Sequence, residues 1–211
     1  VNNFVAVKTG AATSGTAGSV SLVIGSGDTS TGGRVVLNAG ENTARTGGSV
    51  SVISGLGSAT SSGVFSVKTA DAGANGVSGA LHFNSGTTSK GSSGSITLET
   101  GAAAKGTAGS VSIVIGGGDA GVGGRITINA GSSTATSSGT GGMISLMTGA
   151  GTTTSSGGFS VRTAIAGTNG VSGALSFRTG GATKGSSGAV AVKTGAATSG
   201  PAGSISLVIG R

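Results

Sequence analysis

One short unit is written fourteen times along this chain. Aligned on the residue that closes each apolar run, the copies end at positions 10, 25, 40, 55, 70, 86, 101, 116, 131, 149, 164, 180, 195 and 210. The step is 15 residues, with two steps of 16 and one of 18. A fixed period of this length must be read before anything else, because repeats that stack on their neighbours fold differently from a domain with a single core.

The columns of the repeat carry its physics. Five and three residues before the end the residue is always large and apolar, as in Val20 and Leu22, Phe65 and Val67, Leu81 and Phe83, or Ile126 and Ile128. Between them stands mostly Ser or Thr, for example Ser21, Ser112 and Thr127. Alternation of period two predicts a strand with one buried face, and the five Phe are expected in the core. Seven residues before the end stands Gly in thirteen copies and Asn3 in the first. Asn is the next best residue where φ must be positive, so this column predicts a turn. The remaining residues of each unit, such as "GSGDTSTG" or "GAATSGTA", are small and turn-forming and return the chain.

A longer period lies above the short one. "GTAGSVSLVIGSGD" at Gly15 comes back as "GTAGSVSIVIGGGD" at Gly106 and as "GPAGSISLVIG" at Gly200. Six units make one super-repeat, giving modules at about 1–91 and 92–185 and a partial one at 186–211. The three extra residues of the second module lie in "GSSTATSSGTGGMISLMTG", from Gly131 to Gly149. An antiparallel meander would alternate its loop chemistry between the two ends of a sheet, whereas here the Gly and apolar columns recur in every unit. The expected fold is therefore all-β: one β-solenoid over residues 1–211, a parallel in-register stack of about fourteen 15-residue rungs. At ~4.8 Å per rung it would form a rod of roughly 65 Å.

Composition limits the function classes. The chain has 211 residues with 47 Gly, one Pro and no Cys, Trp or Tyr. Such Gly/Ser/Thr-rich composition matches a disordered linker, but 35% regularly placed apolar residues argue against that. The absence of Cys excludes a disulfide scaffold. No window approaches ~18 consecutive apolar residues, so no membrane span is expected. Twelve basic and five acidic residues leave a net charge of +7. Without a clustered basic stripe or aromatic stacking residues, nucleic acid is not an expected partner.

The pattern G-S-V-S-[LIV]-x-[ST]-G with its Gly/Ser/Thr-rich return resembles the repetitive solenoid proteins of cell surfaces and extracellular fibres. The resemblance spans the whole chain and rests on composition. It implies an extended structural or adhesive role at an extracellular or cell-surface location, and it supplies no active site.

No constellation of catalytic residues appears. His82 is the only His, and a triad needs partners it lacks. Asp28, Glu41, Asp71, Glu99 and Asp119 occupy separate repeats, so no carboxylate pair forms. The expectation is no enzyme, no cofactor and no metal; "IGGGDAGVGG" from Ile115 lacks the recurrent Asp of a calcium roll. One outward column stands apart. Two residues before the end, consecutive repeats carry Arg162, Arg178 and Lys193. Stacked about 5 Å apart in the expected solenoid, they would form an anion stripe for acidic glycans or for carboxylates of a neighbouring rod.

The expected function is structural, as a fibre segment self-associating axially and laterally with copies or further repeats of itself. An adhesin or ice-binding solenoid is the alternative. Both terminal repeats keep the interior apolar columns, so the stack is expected to continue into a longer repetitive chain.

Overall fold

The structure is a computed structural model that describes residues 4–28, 31–135 and 138–210. It divides into two units, Val1–Val111 and Ser112–Arg211. The sequence period is visible in the backbone of each. Bends or turns fall at 13–15, 28, 43–45, 58–60, 74–75, 89–91 and 104–106 in the first unit. In the second they fall at 119–122, 138, 152–154, 168–169, 183–185 and 198–200. Each repeat thus contributes one apolar segment and one chain reversal.

The expected β-solenoid is not what forms. Among the described residues there is no strand and no helix, and the segments between reversals are irregular. Contacts between residues far apart in the chain are sparse, and among the described residues successive repeats do not stack into a ladder. The accessible surface is 21,090 Å² for 19.2 kDa. A compact monomer of this mass would expose roughly 8,400 Å², and a fully unfolded chain roughly 28,000 Å². Accordingly no residue of the described chain is fully buried, and the expected core is absent. Val67, assigned to that core, is 49% exposed, and the five Phe range from 62% to 86%.

The energetics of one repeat explain the correction. Gly loses more backbone freedom on ordering than any other residue, and each 15-residue repeat offers only about three apolar side chains to offset that loss. Alternation says which way a side chain faces; it does not supply enough side chains to hold so glycine-rich a chain in one stack.

Local closure survives where stacking does not. In all thirteen repeats with Gly seven residues before the end, that Gly returns against the last two residues of the preceding repeat. A Cβ on Gly18 would lie 2.9 Å from Thr9 Cβ, one on Gly33 2.5 Å from Ile24 Cγ2, and one on Gly48 3.1 Å from the Gly40 nitrogen. None of these thirteen glycines has positive φ. The expected left-handed turn at this column is thus replaced by close approach, and Asn3, which suggested it, lies outside the described residues. Positive φ occurs instead within the reversals, at Gly15, Gly91, Gly121, Gly185 and Gly200. The closing glycines, such as Gly40 and Gly131, meet nothing within 4 Å. Their column accordingly tolerates Ala70 and Ala164.

Both modules close in the same way. In the first unit the Gly48 amide donates to the Gly40 carbonyl at 2.8 Å, Gly63 to Gly55 at 2.9 Å, and Gly76 to Gly73 at 3.1 Å. In the second, Gly142 donates to Gly131 at 2.8 Å, Gly157 to Gly149 at 2.9 Å, and Gly170 to Gly167 at 3.0 Å. The three-residue insertion lengthens the loop 132–141 relative to 41–47 and leaves its closing bond unchanged.

Candidate functional site: an exposed apolar face and a basic column

Closure gives each repeat a weak inner and outer side. Ile24, covered by Gly33, is 45% exposed while its neighbour Val23 is 81% exposed; Ile115 and Val114 repeat this at 46% and 81%. Ile209, against which none of these glycines is placed, is 90% exposed. The half-buried residues belong mainly to the same inner column: Ser54, Thr69, Thr100 and Thr148, joined by Gly57 and Ala166. Thr9 illustrates how that column is held, with its hydroxyl donating to the Gly18 carbonyl at 3.0 Å.

Each closure is marginal. Half-covering one Ile contributes roughly 1 kcal/mol, and one amide hydrogen bond about 1 kcal/mol. Closing a loop of about eight residues costs about 2 kcal/mol. The Ile contacts lie at Gly33 and Gly124 and the amide bonds at Gly48, Gly63, Gly142 and Gly157, so each closure draws on one of these contributions and is weakly held. The apolar columns thereby remain accessible as a repeated face, one patch per repeat.

The spacing of about 5 Å expected for the basic column rested on a stack of strands that is not seen among the described residues. Arg162, Arg178 and Lys193 are all exposed, each on its own segment, and among the described residues no ladder sets these segments side by side. Arg162 lies beside a surface recess. It lines a shallow cleft of about 390 Å³ with Thr163, Ala164 and Ile165. Thr163 is fixed there by packing against Gly173, whose Cβ would meet its Cγ2 at 3.3 Å. An exposed guanidinium can bind a carboxylate or sulfate oxygen. His82 and the five acids are likewise exposed.

Among the described residues no group of three or more His, Cys, Asp or Glu side chains could hold a metal ion. No helix among them is long and apolar enough to cross a membrane. A flat rank of Thr, needed by the ice-binding alternative, has no sheet to carry it among these residues. Comparison with known proteins finds no matching family model and no similar curated protein or solved structure.

Proposed function

We propose that this chain is a non-enzymatic structural protein, a repetitive segment that self-associates into an extracellular or cell-surface fibre. The observation that carries this reading is the mismatch between pattern and burial. Every repeat keeps large apolar residues at two fixed positions, yet none of those described is buried within one copy. An exposed apolar patch recurring every 15 residues marks an interaction surface. The partner that matches its spacing is another copy of the same repeats. Association would bury the Val, Ile, Leu and Phe columns between copies and pair backbone groups that lack partners within one chain. Because each repeat contributes little alone, assembly depends on many repeats engaging together.

The test is sedimentation and electron microscopy over a concentration series. Unbranched filaments above a threshold concentration support the proposal. A chain that stays monomeric at millimolar concentration refutes it.

A further inference from the structure

The charge of this chain is unevenly divided. Residues 1–119 hold six basic side chains (Lys8, Arg34, Arg45, Lys68, Lys90, Lys105) against all five acidic ones, a net of +1. Residues 120–211 hold the other six (Arg125, Arg162, Arg178, Lys184, Lys193, Arg211) and no acidic residue, a net of +6. The apolar and Gly columns are the same in both stretches, so the repeat pattern does not account for this asymmetry. In the second stretch no carboxylate within the stretch can neutralise a cation or repel an approaching anion. Three of its cations, Arg162, Arg178 and Lys193, recur at steps of 16 and 15 residues in one column, and all three are exposed.

We infer that residues 120–211 form a binding tract for a linear acidic polysaccharide bearing carboxylate or sulfate groups. Exposed cations at repeat spacing on a marginally closed chain can adjust to the anions of an extended polymer. Each contact releases condensed counterions, the sequence-independent driving force for binding a linear polyanion. Arg162 lines a shallow surface recess that leaves it open to an approaching anion. A nucleic acid fits less well. Stacking would require Phe159 and Phe177, which occupy the same two columns as Val, Leu and Ile elsewhere and are thus part of the repeated apolar pattern. This inference does not depend on fibre formation and is tested below the assembly threshold.

The experiment measures affinity of the full chain for polygalacturonate between 50 and 200 mM salt, with dextran as the neutral control. With about five contacts, affinity should fall about a hundredfold across that range. The variant Arg162→Gln/Arg178→Gln/Lys193→Gln should lower the magnitude of the log–log salt slope by about 2. The control Lys8→Gln/Lys68→Gln/Lys90→Gln removes the same charge from the first stretch and should leave the slope nearly unchanged. Circular dichroism checks that neither triple variant alters the chain. Equal effects of the two triples would overturn the inference, because total charge alone would then drive binding. So would absence of binding at 50 mM salt. Tighter binding to a single-stranded oligonucleotide, lost with Phe177→Ala, would overturn it in favour of nucleic acid.

Discussion

Replacing Gly48 with Ala should open one reversal, while replacing Gly40, its hydrogen-bond partner, should not. The Gly48 amide donates to the Gly40 carbonyl at 2.8 Å. An Ala Cβ at 48 would stand 3.1 Å from the Gly40 nitrogen, 3.3 Å from Ala39 Cβ and 3.4 Å from the Gly40 oxygen. Two of those atoms are backbone, so relief requires the two arms of the loop to separate by a few tenths of an ångström. That weakens a bond contributing about 1 kcal/mol, and the closed-to-open ratio should fall about fivefold. At Gly40 a Cβ meets nothing within 4 Å and φ is not positive. Gly40→Ala should instead favour closure slightly, by up to about 1 kcal/mol, through a stiffer open chain. The assay is amide hydrogen exchange at residue 48, followed by NMR on dilute protein. Gly142→Ala and Gly131→Ala repeat the comparison in the second module, where the corresponding Cβ distance to the Gly131 nitrogen is 3.2 Å. Equal acceleration in both members of a pair would refute close approach as the reason for this glycine column.

Other outcomes follow from the same geometry. Gly15→Ala places a side chain at φ 117° and should disfavour its reversal by about 1–3 kcal/mol, read from the backbone coupling constants of residues 13–16. Val67→Asp should raise the threshold concentration for assembly about tenfold or more, since a Val removed from water contributes about 1.5–3 kcal/mol and an unpaired charge would take its place. Ser66→Asp, one column over, should change it far less; equal thresholds in a sedimentation series would show that the apolar column is not the contact face.

Much of the local structure was legible in the sequence. The fourteen-fold period sets where the chain reverses, and bends at 43–45, 58–60 and 183–185 fall in the small, turn-forming stretches. The six-unit module reappears in matching bonds at Gly48 and Gly142. Two features were misleading for physical reasons. Gly at a fixed column fits either positive φ or close approach, and only the position of the preceding repeat, against Ile24 or Thr9, separates them. Alternation around Val20, Leu22 and Ile24 fits a buried strand face, yet burial depends on neighbours that the return loops of Gly, Ser and Thr do not provide. The anion column was legible as residues, but its 5 Å spacing came from the expected stack and went with it. The acid-free stretch from residue 120 onward was visible in the charge order alone.

The most direct test of the central claim, that one copy leaves its apolar columns open and another copy covers them, is amide hydrogen exchange measured on the same protein below and above the assembly threshold. Near-random-coil exchange is expected in the dilute chain, with slight protection at residues such as Gly48 and Gly142, and strong protection along the Val, Ile and Leu segments once assembled. Strong protection of all fourteen segments in the dilute monomer would contradict it.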